Sequence, residues 1–135
     1  MTSHPPHALT DLGDERFVSL TTFRRTGEPV STPVWVVRDG ASLLVITPEE
    51  SGKVKRLRHT ARVELRPCNR SGAVPPDAVA VGGDAELVTD PATVARLSTL
   101  FAARYGLEFR VVLLVERLVA RRRKPRVMVR ITPAG

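Results

Sequence analysis

The residues best suited to chemistry lie in one short stretch, in which Ser51 and Gly52 are followed by four cations in six residues. Ser51 is a suitable N-cap for a short helix, and the N–H groups of the first turn would face an anion. At about 100° per residue, one side of that helix carries Val54 and Leu57. The cations flank this apolar side in two pairs, Lys53 with Arg56 and Lys55 with Arg58. The stretch is consistent with a phosphate site, but also with a solvated basic helix, the commoner state of a charge run.

Side chains for acid–base or nucleophilic catalysis are scarce. The sequence has no phosphate-binding P-loop and no GxGxxG motif, and His59 is the single histidine outside the first seven residues. The helix dipole or simple solvation accounts for His59 at the end of the basic helix. Cys68 is expected to be a half-buried small residue, although Arg66 and Arg70 would lower its pKa if they point toward it. If the protein is an enzyme, we expect a bound cofactor to carry the chemistry, with no catalytic side chain.

Length and composition fit one domain in a reducing compartment. The 135 residues are 42% hydrophobic, and no apolar run approaches the roughly 18 residues that a membrane span needs. One cysteine excludes an internal disulfide and a multi-cysteine zinc site. His4 and His7 have a spacing that a metal could use, but two prolines separate them, and a flexible tail is the better interpretation. The first ten residues lack the features of a secretory signal, so we expect a cytoplasmic protein with no membrane partner.

The net charge of +7 favours an anionic partner. Such a partner is a nucleic acid, an acidic surface or a phosphorylated small molecule, and charge by itself does not choose among them. A nucleic-acid-binding barrel would account for the basic cluster at 121–126. Such modules usually interleave aromatic residues with basic ones for stacking, whereas aromatic residues are only 4% of this chain. We therefore regard nucleic acid as an unlikely partner.

Alternation of apolar and polar residues predicts six strands around the basic stretch. The first three, joined by tight turns at Thr26-Gly27 and Asp39-Gly40, form an antiparallel meander. Pro33 in the second strand marks an edge or a bulge, and Gly82-Gly83 in the fifth suggests a bulge or a bend at a barrel corner. The last strand would close a small barrel. The six segments are 16–25, 29–38, 42–47, 61–68, 78–88 and 126–132.

Two longer helices are predicted late in the chain. Asp90 is the N-cap and Pro91 the first residue of one, and apolar residues then recur at helical spacing until a glycine stops it. Residues 108–122 fit either a helix or a buried strand, and we prefer the helix because the apolar period continues through the segment. Residues 1–13 are expected to form a flexible arm with one short turn, followed by a single domain over 14–135. The fold class is mainly β (α+β).

Taken in order, these segments resemble the small pyridoxamine-phosphate-oxidase-like proteins of the FMN-binding split β-barrel superfamily. The motifs that carry the resemblance are STPVW at 31–35, SGKVKRLR at 51–58 and RVELRPCNRSG at 62–72. The likeness extends from about Leu12 to Thr132 and is closest to the branch of F420-dependent oxidoreductases. It implies a split antiparallel β-barrel of about six strands with three helices. It also implies a homodimer, with the cofactor in the groove between the two barrels.

The resemblance further implies which residues bind the cofactor. The flavin or deazaflavin ring would be lined by Ser31, Thr32, Pro33, Val34 and Trp35. The phosphate and ribityl chain would be surrounded by Thr47, Ser51, Gly52, Lys53, Lys55 and Arg58. The ring would be approached from a neighbouring strand by Arg66, Pro67 and Cys68. The arginines at 121–123 and Lys124 could hold the polyglutamate tail of F420, or could simply form a solvated helix end.

The implied function is hydride transfer between reduced coenzyme F420 and a small organic electron acceptor, both held in place with water excluded. Cations near the pyrimidine end of the cofactor would stabilise the negative charge of its reduced ring. Two alternatives use the same residues, an FMN-binding split-barrel oxidoreductase and a non-catalytic carrier of flavin or F420. A nucleic-acid-binding barrel is the third and least favoured alternative.

Overall fold

Seven antiparallel strands form one sheet in the computed structural model, which describes residues 9–120 and 126–134. The strands are β1 Phe17–Phe23, β2 Pro29–Val34, β3 Val37–Asp39, β4 Ser42–Pro48, β5 Arg62–Cys68, β6 Val81–Val88 and β7 Arg126–Pro133. A 3-10 helix, Leu9–Asp14, precedes three α-helices: α1 Gly52–Leu57, α2 Pro91–Tyr105 and α3 Leu107–Ala120. None of these described helices is long and apolar enough to cross a membrane. The predicted fold class, mainly β, is confirmed.

The order of the strands requires the sheet to curl. In the order β2-β1-β5-β6-β7-β4-β3, strands β2 and β3 lie at opposite edges, yet only Trp35 and Val36 separate them along the chain. Three residue steps span at most about 11 Å, whereas six strand spacings of about 4.8 Å would put the edges of a flat sheet roughly 29 Å apart. The sheet therefore curls until its edges meet, which is the half-barrel geometry of a split β-barrel.

Tyr105 of α2 holds the crossover between these two edges. Its hydroxyl accepts a hydrogen bond from the Val36 N–H at 2.9 Å. The same hydroxyl lies 2.9 Å from the carbonyl oxygens of Val36 and Arg16, to either of which it can donate. Its ring stacks on Trp35 with the ring centroids 4.9 Å apart. One side chain of the helical layer therefore contacts both residues that join β2 to β3.

Apolar cores fill the inside of the curled sheet and cover part of its outside. Inside, alternate strand residues such as Leu20 pack with Leu12 of the 3-10 helix. Outside, α2 and α3 cover β3, β4 and β7 through a cluster that includes Leu44, Phe101, Tyr105, Phe109 and Met128. The outer face of β2, β1 and β5 has no helical layer in the described part of the chain. This bare face is the one on which several predicted cofactor residues lie.

The strand predictions are confirmed except in three places. The predicted second strand, 29–38, is broken at Trp35, because the chain leaves one sheet edge there and joins the other, so there are seven described strands rather than six. Pro33 lies on an edge strand, β2, as one of the two alternatives predicted. The fifth strand begins at Val81 rather than at residue 78. Of the bulge or bend predicted at Gly82-Gly83, the bulge is excluded, because pairing with β5 and β7 is continuous. A Cβ on Gly83 would lie 2.7 Å from Ile131 Cγ2, so this glycine permits a close approach of β7.

The ends of the predicted elements also need adjustment. The expected short turn near the N-terminus is the 3-10 helix Leu9–Asp14, and Leu9 and Leu12 are buried in the inner core. The predicted division between arm and domain at residue 13 falls inside this helix, so residues 9–13 pack with the domain. The segment from 108 is helical, as preferred, and its described part ends at Ala120. Residues 1–8, residues 121–125 of the basic cluster and residue 135 lie outside the described residues.

Candidate functional site

Helix α1 lies at the end of the half-barrel where β4 ends. Ser51 is its N-cap, with Oγ 3.4 Å from the backbone nitrogen of Val54. The same oxygen accepts a hydrogen bond from Thr47 Oγ1 at 3.1 Å, which ties the helix to β4. Val54 and Leu57 are buried, as their spacing indicated. The predicted short basic helix is confirmed, and its polar side is left to carry the cations.

Arg56 links α1 to β1. Its Nε donates a hydrogen bond of 2.6 Å to Oγ1 of Thr22, a buried residue at the end of β1. The guanidinium also folds back over the first turn of the helix. A Cβ on Gly52 would lie 2.8 Å from Arg56 Nη1, so a larger residue at this position would displace the guanidinium. Gly52, a predicted cofactor residue, therefore makes room for a cation.

Three cations gather beside α1, and we call Lys53, Arg56 and Arg24 the cation cluster. Burial lowers the pKa of the Lys53 ammonium, and the charge of Arg56 lowers it further. Burial, followed by the charge of Arg24, lowers the pKa of Arg56 in the same way. Arg24 pairs with the exposed Glu28 at 3.1 Å, but neither Lys53 nor Arg56 forms an ion pair with any described residue. Lys53 and Arg56 are therefore like charges held together without an ion-pair partner among the described residues, which favours the binding of an anion.

The remaining cations of α1 face solvent. Lys55 and Arg58 are exposed. His59, directly after the helix, is exposed, and its Nε2 accepts a hydrogen bond from Arg25 Nε at 3.2 Å. Arg25 belongs to the turn between β1 and β2, so this contact joins that turn to the end of α1. The arrangement agrees with the structural explanation of His59 rather than with catalysis.

The bare outer face of β2, β1 and β5 carries a second group of predicted residues. Thr21 pairs with Ser31, and their hydroxyl oxygens lie 2.6 Å apart. Ser19 lies in register between Pro33 of β2 and Arg66 of β5. Thr21 is only 2% exposed and Ser19 only 6%, whereas Ser31 and Pro33 are exposed and Arg66 is half-buried. Small hydroxyl residues therefore form the floor of a polar surface, with Pro33 and Arg66 on either side.

Strand alternation divides the residues that were predicted to line the ring. Val34 belongs to the inner core, so its side chain does not lie on the outer face, and its predicted contact with the ring stays a prediction. Thr32 also points inward, opposite Leu20, and its Oγ1 is buried without a hydrogen-bond partner among the described residues. Trp35 packs on Tyr105 in the helix-covered cluster. Of the motif at 31–35, only the side chains of Ser31 and Pro33 lie on the bare face.

A cavity of about 430 Å³ lies at the far end of β5, bordered by Pro67, Cys68 and Glu15. Cys68 is half-buried, as predicted. Burial raises the pKa of its thiol, and the negative charge of Glu15 raises it further. The lowering of this pKa by neighbouring arginines, which we considered from the sequence, is therefore wrong. One of them, Arg70, instead pairs with Glu108 of α3 at 2.9 Å.

Comparison with known families shows to which family this chain belongs. Residues 5–135 match the family described as pyridoxamine 5'-phosphate oxidase. The chain belongs to that family. No curated protein matches the sequence. Membership of the pyridoxamine 5'-phosphate oxidase family agrees with the curled antiparallel sheet and with the resemblance inferred from the motifs.

Solved structures similar to this family member have different ligands in their names. An F420 reductase is 21% identical with a TM-score of 0.63, and the match covers 96% of each chain. An FMN-binding, pyridoxamine 5'-phosphate oxidase-related protein from Nostoc punctiforme is 16% identical with a TM-score of 0.59, over 87% of this chain and 70% of that one. The heme storage protein HutZ from Vibrio cholerae is 12% identical with a TM-score of 0.64, and the match covers 90% of this chain and 84% of that one. These identities show a shared fold, so the choice of ligand rests on each chain's own residues.

In this member of the pyridoxamine 5'-phosphate oxidase family, two groups of predicted residues are brought together. Thr47 is hydrogen-bonded to Ser51 at the start of α1, the helix that also carries Lys53, and Ser31, Pro33 and Arg66 share the bare face. Among the described residues, no group of three histidine, cysteine or acidic side chains could hold a metal ion.

Sequence reasoning left two contributors out of the predicted site. Helical spacing placed Arg56 beside Lys53, but Arg56 was not included among the cofactor residues. Arg24 was missed altogether, because a cation directly after a strand has no motif that links it to a helix about thirty residues later. Only the approach of the β1 end to α1 shows that these charges belong together.

Proposed function

We propose that this protein is an F420-dependent oxidoreductase that transfers a hydride between reduced F420 and a small organic acceptor. The observation that carries the proposal is the cation cluster, in which Lys53 and Arg56 have no acidic partner in the described part of the chain. Further support comes from the similarity to an F420 reductase over 96% of both chains. The pyridoxamine 5'-phosphate oxidase fold accommodates flavin-type cofactors, and these residues match the phosphate of such a cofactor.

The chemistry of the cluster fits a phosphate group. The Lys53 ammonium is partly buried beside another cation, so its charged form is less stable than in water. A phosphate placed between Lys53 and Arg56 would offset both the burial and the repulsion through charge-assisted hydrogen bonds. The hydroxyls of Thr47 and Ser51, already bonded to one another, lie at the same end of the barrel. We infer that this end holds the phosphate and the ribityl chain.

F420 supplies a hydride from the C5 position of its deazaflavin ring. The chain would bind that ring on the bare face, with Ser19 and Thr21 as a polar floor and Pro33 beside it. The half-buried guanidinium of Arg66 supplies positive charge that would stabilise the negative charge of the reduced ring. No side chain of this face is required as an acid or a base, so the role of the protein is to orient both reactants and exclude water.

We also propose that the protein acts as a homodimer in which a second copy covers the bare face. That face exposes Pro29, Ser31 and Pro33 on the edge strand β2. Light scattering during size-exclusion chromatography should give about twice the chain mass of 14.8 kDa. A particle of single-chain mass at micromolar concentration would contradict the dimer without affecting the assignment of the cation cluster.

The proposed function is tested by fluorescence titration with F420 and, in parallel, with FMN. We expect F420 to bind with a micromolar Kd and Lys53→Met to weaken it about tenfold, equivalent to about 1.4 kcal/mol. Arg96→Met is the matched control, since it removes one positive charge from an exposed position on α2. The control should leave the affinity for F420 nearly unchanged. Raised salt should weaken binding to the wild type more than to Lys53→Met.

Other outcomes would change the assignment. Binding of FMN without F420 would indicate an FMN-binding oxidoreductase, the alternative that the solved FMN-binding protein from Nostoc punctiforme favours. Tight F420 binding, with the reduced form oxidised by no acceptor, would indicate a carrier. Binding of neither cofactor would overturn the proposal and make nucleic acid the next ligand to test.

A further inference from the structure

The cavity at the end of β5 differs in chemistry from the cation cluster. Its volume of about 430 Å³ lies within the range of small-molecule sites. Most of its wall is apolar and comes from the end of β5 and the following loop, with Pro67, Cys68, Val74 and Pro75 among the residues. The polar groups at its border come from Glu15 and Asn69. A mainly apolar cavity with two polar side chains suits a small organic molecule better than a phosphate.

The cavity also borders the bare face. Cys68 and Arg66 project from the same side of β5, because they are two residues apart, and their Cα atoms are separated by about 7 Å. The loop after β5 reaches the same face, since a Cβ on Gly72 would lie 3.4 Å from Cδ of Pro33. A molecule in the cavity would therefore lie beside a ring bound between Pro33 and Arg66. Such an arrangement is what hydride transfer between two bound reactants requires.

Glu15 gives this cavity a negative charge. Its backbone is held on both sides, because its N–H donates to the Leu12 carbonyl at 3.1 Å and its carbonyl accepts from Arg104 Nη2 at 2.6 Å. Its carboxylate forms no ion pair with any described residue. The pKa of the Cys68 thiol is raised first by burial and then by the negative charge of Glu15. The carboxylate of Glu15 disfavours an anion at this border of the cavity, whereas the cation cluster favours one.

Asn69 supplies a hydrogen-bond donor at the border of the cavity. Its Oδ1 accepts bonds from the backbone N–H of Ser71 at 3.0 Å and of Ala73 at 2.9 Å. A backbone N–H can only donate, so the atom that it meets must be the amide oxygen. The NH₂ of the side chain has no acceptor among the described residues. That group is therefore available to a carbonyl oxygen of a ligand.

We propose that this cavity binds the electron acceptor, that the acceptor is a small neutral carbonyl compound with an apolar body, and that Glu15 sets its charge selectivity. The acceptor role rests on the proposed F420-dependent function. A quinone acceptor would take the hydride from C5 and the proton released with it, and would leave as the hydroquinone while F420 becomes oxidised. Both electrons and both hydrogens are accounted for, so no further oxidant is needed.

The single cysteine of the chain reports occupancy of the cavity directly. On the full chain without cofactor, alkylation of Cys68 by iodoacetamide is followed by mass spectrometry in the presence of two anthraquinones of similar size. The neutral 2-(hydroxymethyl)anthraquinone should slow alkylation about fivefold at about four times its Kd. The anionic anthraquinone-2-carboxylate should protect much less at the same concentration. In Glu15→Gln the anionic compound should protect as well as the neutral one.

The outcomes separate this inference from the proposed function. Equal protection by the two anthraquinones in the wild type, or protection by neither, would overturn the inference even if F420 binds as proposed. Protection by the neutral compound in a protein that does not bind F420 would overturn the acceptor role, because the hydride donor would be missing.

A second variant tests recognition of the carbonyl group. Asn69→Asp keeps an oxygen to accept the bonds from Ser71 and Ala73, so the loop should remain folded, but it removes the NH₂ donor. In oxidation of reduced F420, the KM for 2-(hydroxymethyl)anthraquinone should rise about fivefold to tenfold, with the Kd of F420 unchanged. An unchanged KM would show that Asn69 does not hold the acceptor.

Discussion

The two outer faces of the curled sheet differ in what covers them. Over β3, β4 and β7, helices α2 and α3 bring together four aromatic rings whose centroids lie 4.9 to 6.2 Å apart, those of Trp35, Phe101, Tyr105 and Phe109. Over β2, β1 and β5, the described chain places no helix, and the floor of the face is made of Ser19 and Thr21. The covered face buries apolar area, which stabilises the fold. The bare face keeps polar groups and nearby cations available for a ligand.

The largest effect on stability is expected from the covered face. Phe101 is fully buried and stacks between Tyr105 and Phe109, with centroids 6.2 Å from each. Phe101→Ala removes this packing and leaves a cavity, so the free energy of unfolding should fall by about 3–5 kcal/mol. Urea denaturation followed by circular dichroism measures the change. A loss below about 1 kcal/mol would show that the aromatic cluster does not stabilise the fold as the comparison of the two faces implies.

A smaller loss is expected where the covered face holds the crossover. Tyr105→Phe keeps the stacked ring but removes the hydroxyl that accepts the bond from the Val36 N–H. A buried N–H left without a partner costs about 1–3 kcal/mol. Denaturation should show a loss of that size, and hydrogen exchange at Val36 should become faster. Unaltered exchange at Val36 would mean that the crossover does not depend on this side chain.

At the cation cluster, a substitution should stabilise the protein when no ligand is bound. The pKa of Lys53 is lowered from 10.5 by burial and then by Arg56. Below the folded-state pKa both states carry the proton, so the cost of holding this charge in the folded protein is fully present. As the pH rises from the folded-state pKa toward 10.5, the folded state loses its proton first and the free energy of unfolding rises. Lys53→Met should therefore be more stable than the wild type at neutral pH, with a difference that shrinks toward about pH 10.5.

Urea denaturation of both proteins across this pH range is the measurement. A difference that stays constant with pH would contradict the assignment of the shifted pKa to Lys53. Together with the weaker F420 binding expected of the same variant, the result would show that Lys53 favours a ligand at the expense of stability, whereas Phe101 acts on stability alone.

The smallest effect is expected when the hydrogen bond that orients Arg56 is removed. Thr22→Val keeps the shape of the side chain but removes the oxygen that accepts the bond from Arg56 Nε at 2.6 Å. We expect the affinity for F420 to fall about threefold to fivefold, because one hydrogen bond that orients the guanidinium is lost. The control, Thr99→Val, makes the same change at an exposed position on α2. Fluorescence titration should separate the two variants, and an equal loss in both would count against the positioning of Arg56 by Thr22.

Local signals predicted most of the fold correctly. Ser51 and Asp90 are the N-caps of α1 and α2, and the turn before β4 has Gly40 at a φ of 61°. Caps and turns depend on residues within a few positions of one another, so residue type and spacing are enough to find them. The apolar period likewise favoured a helix after residue 107, which α3 confirms.

Predictions failed where contacts between distant segments decide the structure. Trp35 and Val36 have the composition of a strand, but the meeting of the two sheet edges interrupts it, and Tyr105, 69 residues beyond Val36, holds that break. The motif at 31–35 was carried over as five contacts, although alternation places Val34 in the inner core. The cofactor contacts of all the predicted residues stay predictions, to be tested by the titrations described above.

The sequence by itself determined the family, the succession of strands and helices and the presence of a basic helix after β4. Only the tertiary structure decided which charges are paired. Arg130 meets Asp39 at 3.0 Å across the sheet, while Arg56 is aimed at Thr22, 34 residues away, and stands beside other cations. Periodicity reports which side of its own element a residue faces, but not which residue of another element lies opposite. The neighbours of a charged group depend on how the sheet curls and where α1 meets it, and these are properties of the folded chain.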